Sequence, residues 1–176
     1  MNKSGYTIRL ERPDDYLAVE TMTRDAFWNL SVPGCDEHYL VHVMRDHEDF
    51  VSDLDLVMEV DGKIVGNVMY TRTRLVDEKG TEKPVLSFGP LCIHPDYQRK
   101  GYGKALLAYS FSKASGLGYD TVVIFGNPAI MLLVVSKAVR STTYASEVTF
   151  TQRRCLLKSL KLVCLTAESG SFMEVL

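Results

Sequence analysis

The stretch DLDLVMEVDGKIVGNVMYTRTRL, residues 53–75, constrains this chain more than any other segment. Two runs rich in β-branched residues flank Asp61–Gly62, a dipeptide favoured in two-residue hairpin turns because both central positions take positive φ. The polar connection VDEKGTEKP follows, and then VLSFGPLCI, residues 85–93, which the pattern predicts as the third strand of a meander. Pro90 lacks the N–H that a ladder needs, so this third strand is expected to bulge or splay at Gly89–Pro90.

Helical periodicity brackets the meander. YTIRLERP alternates apolar and polar residues from Tyr6 and stops at Pro13, as a first strand would. DDYLAVETMTRDAFW has an acidic first turn and apolar residues at Leu17, Val19, Met22 and Phe27, which predicts an amphipathic helix. VPG at 32–34 breaks it, and a second helix is predicted over 36–47. A third helix from about Gly101 to Ser115 leads to a short apolar strand, TVVIF, that ends at GNP. The order β-α-α-β-β-β-α-β predicts one α/β domain of the α+β type. Its expected centre is a mixed, mostly antiparallel sheet flanked by helices.

With 176 residues, 46% hydrophobic and 24% charged, the chain has the balance of a globular domain. Its net charge of −2 gives no basic excess to suggest nucleic acid as a partner. The opening MNKSGYTIRLERPDD has no basic-then-apolar signal pattern, and no apolar run approaches the roughly 18 residues of a membrane span. A cytoplasmic location without a membrane partner is the expectation. The four cysteines, Cys35, Cys92, Cys155 and Cys164, form no C-x-x-C pair and are expected as buried thiols.

IHPDYQRKGYGKALL, residues 93–107, carries the chemistry. A helix opening at Gly101 or Tyr102 leaves its first N–H groups unpaired and holds about half a positive charge at that end. Glycines keep side chains away from those amides, and Arg99, Lys100 and Lys104 add formal charge. The combination is a cradle for phosphate or pyrophosphate; the plain alternative is a glycine-rich turn with incidental basic residues. Two familiar phosphate patterns fail. The P-loop needs a glycine at 98 and Ser or Thr at 105, where Gln98 and Ala105 stand. The dinucleotide fingerprint needs a glycine at 106, which is Leu106.

The hexapeptide Gln98-Arg99-Lys100-Gly101-Tyr102-Gly103, after a strand ending LCIHP, resembles the acyl-coenzyme A signature R/Q-x-x-G-x-G/A of the GNAT superfamily of N-acetyltransferases. The order of elements from Tyr6 to Pro128 is similar to that family's as well. The resemblance implies acetyl transfer from acetyl-coenzyme A to a primary amine of a small molecule or peptide by direct attack, without a metal. In family terms, backbone groups of Leu91, Cys92 and Ile93 would meet the pantetheine arm and the thioester. The turn formed by Gln98, Arg99, Lys100, Gly101, Tyr102, Gly103 and Lys104 would hold the pyrophosphate, and Asn127 is a further expected coenzyme contact. The amine would enter between the third meander strand and TVVIF, and a homodimer is a further expectation.

Three side groups need separate readings. Cys92 lies within an apolar strand, where a structural thiol is expected rather than an acetyl-carrying nucleophile. His38 and His42 have i, i+4 spacing, but no H-E-x-x-H accompanies them, and ordinary surface histidines, with His47 nearby, are expected. The acidic CDEH at 35–38 lies where the family builds part of its acceptor site, which hints at attraction for a cationic amine. No catalytic residue is assigned.

The resemblance stops after Pro128. Residues 1–128 form the acetyltransferase-like core, and 129–176 an atypical segment of the same domain. The family would continue with a short helix carrying a tyrosine that acts as an acid, then G-F, then two antiparallel strands. This chain reads AIMLLVVSKAVRSTTYASEVTFTQRRCLLKSLKLVCL, with no G-F and only a late Tyr144. Codons compatible with 129–146, with one nucleotide restored after the alanine codon, can read ANYAARGFKSCKKYNVCL, which has the missing pattern. A frameshifted tail is therefore the expectation, and gene sequencing tests it: real codons that no single-base change restores rule it out. Such a tail would leave TVVIF as an unpaired edge. It would also make a non-catalytic, coenzyme-binding remnant the alternative to an active enzyme.

Overall fold

The computed structural model describes residues 5–30, 33–76, 80–125 and 161–165. Six strands form one sheet in sequence order: β1 (Thr7–Leu10), β2 (Leu56–Val60), β3 (Lys63–Val76), β4 (Glu82–Ile93), β5 (Thr121–Phe125) and β6 (Lys161–Leu165). Pairing is antiparallel from β1 through β4 and parallel from β4 through β6. Helices α1 (Tyr16–Phe27), α2 (Glu37–Met44) and α3 (Tyr102–Gly116) complete the described elements.

Asp61 (φ 49°) and Gly62 (φ 77°) both take the left-handed region, the backbone that a two-residue hairpin turn demands. Along β2 the side chains alternate between two cores, as a pleated strand requires. Leu56, Met58 and Val60 join the cluster that contains Leu106, Leu107 and Phe111 of α3. Val57 joins a smaller cluster with Val19 of α1, Val41 and Met44 of α2, and Met69 of β3. The sheet is thus covered by α3 on one face and by α1 and α2 on the other.

The α1 pattern needs one correction. Val19, Met22 and Thr23 are buried, whereas Leu17 is 76% exposed. At 100° per residue Leu17 stands about 200° from Val19, so one apolar face cannot include both. Helix α2 is shorter than the pattern over 36–47 suggests, and its C-terminal residues continue as turns through His47 N–H to Met44 O (3.1 Å).

The strand β4 departs from regular pairing where Pro90 predicts. Val68 pairs with Leu91 and Tyr70 with Phe88, so Met69 alone faces both Gly89 and Pro90. This two-against-one arrangement is a β-bulge. On its other side β4 meets β5 at only two pairs, Leu86–Val122 and Ser87–Val123, and beyond them no ladder pairs continue. The expectation of an open edge on β5 is corrected: all five of its residues pair in parallel with β6. Among the described strands the last position in the sheet therefore belongs to β6 rather than to β5. Segment 129–160, the proposed frameshift at 129–146 and Asn127 lie outside the described residues.

Candidate active site

The bulge and the parting of β4 from β5 lie on a cleft of about 910 Å³. One wall is β4 from Ser87 to Ile93, with Thr71, Arg72 and Thr73 of β3. The other comes from the end of α1 (Ala26, Phe27), from Leu30, and from Glu37, Leu40 and Met44 of α2. His47 and Asp49 complete the α2 side, and Gln98 marks the end next to the glycine turn. The cleft therefore links Glu37, at the start of α2, with the residues singled out between 91 and 98.

The predicted coenzyme residues other than Asn127 can now be placed. Leu91, Cys92 and Ile93 all line the cleft, and Gln98 does so from the turn. The Gln98 side-chain amide donates to Ile93 O (3.0 Å), tying the turn to the end of β4. The Lys100 ammonium donates to Asp96 O (2.8 Å) and lies 5.1 Å from the Tyr97 ring centroid, so it braces the turn. Arg99 is exposed and left-handed at φ 61°. Gly101 takes φ 90° at the N-cap of α3, where no side chain caps the helix. An alternating φ pattern of this kind forms backbone concavities for anions.

Space as well as charge fits a ligand here. A β-carbon on Gly101 would meet no atom within 4 Å, so the opening in front of α3 is not filled by protein. One on Gly103 would touch Ile93 Cγ1 at 3.4 Å, which is ordinary packing. Gly101 is therefore required for its backbone conformation, and Gly103 sits where α3 closes on the end of β4. Tyr102 packs edge-on to Tyr6 (5.9 Å) and near Tyr97 (6.2 Å), which fixes the first turn of the helix. Lys104 is half-buried in that same turn.

The thiol of Cys92 is buried and contacts Thr23 Oγ1 at 3.3 Å. Burial pushes its pKa up to about 11, so it is a poor nucleophile near neutrality. This agrees with a structural role for the side chain. Cys35 is also a buried free thiol; burial raises its pKa, and its Sγ donates to Glu37 Oε2 at 3.3 Å. The His42 ring pairs with Glu20 (3.0 Å) rather than with His38. Among the described residues no group of three or more His, Cys, Asp or Glu could hold a metal.

Two cleft groups had no clear signal in the sequence. His47 Nδ1 accepts from the Asp49 backbone N–H (3.1 Å), and both residues line the cleft. The run DHEDF holds them, but only the turn after α2 brings them to the cleft. Of the acidic pair in CDEH, Glu37 lines the cleft and Asp36 does not.

Behind the cleft lies a buried ionic cluster. Arg45, at the C-terminus of α2, donates from Nε and Nη2 to Glu11 (2.9 Å each) and from Nη1 to Glu20 (2.6 Å). Its guanidinium also stacks 4.0 Å from the Tyr16 ring centroid. Asp55 hydrogen-bonds Glu11 and accepts from Asn67 Nδ2 (3.2 Å). Burial, reinforced by Glu11, pushes the Asp55 pKa up to about 9.

Over residues 23–146 the chain matches the sequence model of the acetyltransferase (GNAT) family. It is 29% identical over 124 residues to a protein of Escherichia coli K12 described as uncharacterized N-acetyltransferase YhbS, covering 70% of this chain and 68% of that one. A crystal structure of E. coli YhbS in complex with CoA superposes with a TM-score of 0.62 at 24% identity, covering 76% of this chain and 69% of the other. A GNAT family acetyltransferase from Brucella melitensis, in complex with acetyl-CoA, superposes at 0.59 with 27% identity, covering 69% and 76%. Among the described residues no helix is long and apolar enough to cross a membrane.

Proposed function

The chain belongs to the acetyltransferase (GNAT) family, and we propose that it transfers an acetyl group from acetyl-coenzyme A to a primary amine of a small molecule or peptide. The observation that carries this reading is the continuity of the cleft. It runs from the bulged strand β4 to Gln98, beside a helix N-terminus left open at Gly101.

In this reading the turn from Gln98 to Lys104 holds the pyrophosphate through backbone amides, with the Arg99 and Lys104 charges nearby. Leu91, Cys92 and Ile93 offer backbone groups to the pantetheine arm, and Asn127 is the remaining proposed contact. Acetyl-coenzyme A supplies an activated acetyl group: the N–C bond forms as the C–S bond breaks, and coenzyme A leaves as its thiol. The residues around the cleft align the amine with that carbonyl, and alignment alone contributes several kcal/mol in such reactions. Glu37, His47 and Asp49 line the same cleft and are the groups proposed to take the proton of an incoming ammonium.

A second reading is a remnant that binds coenzyme A without turnover. It is favoured by one observation: β6 runs parallel to β5, where the family would add antiparallel strands. Calorimetric titration with acetyl-coenzyme A, followed by thiol release over an amine panel, separates the two. Binding with turnover supports the enzyme, and binding without turnover supports the remnant. Gly101→Glu and Gly103→Glu should each abolish binding, and unchanged affinity in both would overturn the cradle.

A further inference from the structure

The acceptor side of the cleft is chemically lopsided. Leu30 and Leu40 line it while remaining 68% and 44% exposed, and Phe27 stands beside them. Large apolar side chains left in water around a concave site mark a surface that an apolar partner covers. Two carboxylates, Glu37 and Asp49, belong to the same wall, Asp49 with Oδ2 3.9 Å from His47 Nδ1. On the β3–β4 wall stands one cation, Arg72, with Nη2 donating to Glu48 O (2.6 Å). Two carboxylates and one cation suit a single ammonium and disfavour a polycation.

We infer that the acceptor is a monoamine with an apolar body, aryl-alkyl or branched alkyl. Its nitrogen sits between Glu37 and Asp49, and its body lies against Phe27, Leu30 and Leu40. This rests on the acetyl-transfer reading above and names the substrate class of that same cleft. The apolar wall comes from α1, α2 and the segment between them, whereas the coenzyme turn lies at the other end of the cleft, so the two ligands are read by separate residues.

The test uses the full chain with phenethylamine, hexylamine, ethanolamine and spermidine. Thiol release is measured at saturating acetyl-coenzyme A, and phenethylamine binding is measured separately by calorimetry. The expected result is a kcat/KM for phenethylamine at least about tenfold above that for ethanolamine or spermidine, the discrimination an apolar pocket gives. Leu30→Asn and Leu40→Asn should each lower phenethylamine affinity about fivefold or more, leaving acetyl-coenzyme A affinity unchanged. Spermidine or ethanolamine acetylated as efficiently as phenethylamine overturns the inference while leaving acetyl transfer standing. Phenethylamine binding that depends on Leu30 and Leu40, without thiol release, supports the inference and overturns the transfer reading. Absence of both overturns the two together.

Discussion

Met44 of α2 covers Gly89 of β4 so closely that a β-carbon on Gly89 would lie 2.8 Å from both the Met44 sulfur and its methyl carbon. Gly89 belongs to the bulge that interrupts β4, and Met44 lines the same cleft. A helix on the acceptor side thus packs onto the bulge beside the parted strands. Because the atoms met are the far end of a flexible side chain, Gly89→Ala should cost only up to about 1 kcal/mol, as Met44 shifts aside. Met44→Ala in the same chain should return part of that loss by vacating the space. Urea unfolding of both single variants and the double variant gives the coupling, and strictly additive effects would sink the proposed contact.

Arg45 and Glu11 form an ion pair with side-chain exposures of 5% and 0%. Burial opposes the guanidinium charge, yet its hydrogen bonds and attraction to Glu11 and Glu20 leave its pKa raised. Arg45→Met should therefore cost about 3–5 kcal/mol, because Glu11 stays buried without its partner. Adding Glu11→Leu should recover at least half of that loss. Denaturant midpoints for the three chains test this, and a single-variant loss under 1 kcal/mol would contradict it.

Asp55 gives a pH dependence with a definite sign. Its folded pKa of about 9 lies far above the unfolded value of about 4. Between these values the folded chain holds a proton that the unfolded chain releases. The Asp55 contribution is full below the unfolded pKa and declines as pH rises toward 9. Asp55→Asn keeps the shape and removes the titration. Stability lost between pH 5 and pH 8 should shrink in this variant relative to the parent, and an equal loss in both would refute the assignment.

Cys92 should resist chemistry as well as burial suggests. Iodoacetamide at pH 8 should leave it unmodified in the folded chain and label it once unfolded, as read by peptide mass spectrometry. Cys92→Ser keeps a hydroxyl near Thr23 and should hold kcat within about tenfold. Loss of a true nucleophile would lower kcat by at least about a thousandfold.

What local backbone chemistry dictates was legible in the chain. Asp61–Gly62 announced the left-handed hairpin turn and Pro90 the interruption of β4, because φ restrictions and a missing N–H act whatever surrounds them. The run Gln98–Gly103 likewise announced an uncapped helix start. Leu17 was misread because an apolar residue in a helical segment says nothing about its face until its angle to Val19 is counted. Glu37, His47 and Asp49 gave weak signals, since residues 37 to 49 reach the cleft only through the packing of α2 on the sheet.

The sequence by itself determined the order of the described elements through β5, the turn types and the glycine that opens α3, all consequences of torsional limits within a few residues. Only the tertiary structure decided that Met44 lies over Gly89, that Glu11 and Arg45 are buried together, that Cys92 is sealed against Thr23, and that β6 covers the edge of β5. Those contacts join residues between 34 and 69 positions apart, or strands far apart in the chain. Their energy comes from burial and pairing after the sheet has formed, and no local pattern encodes which distant partner will arrive.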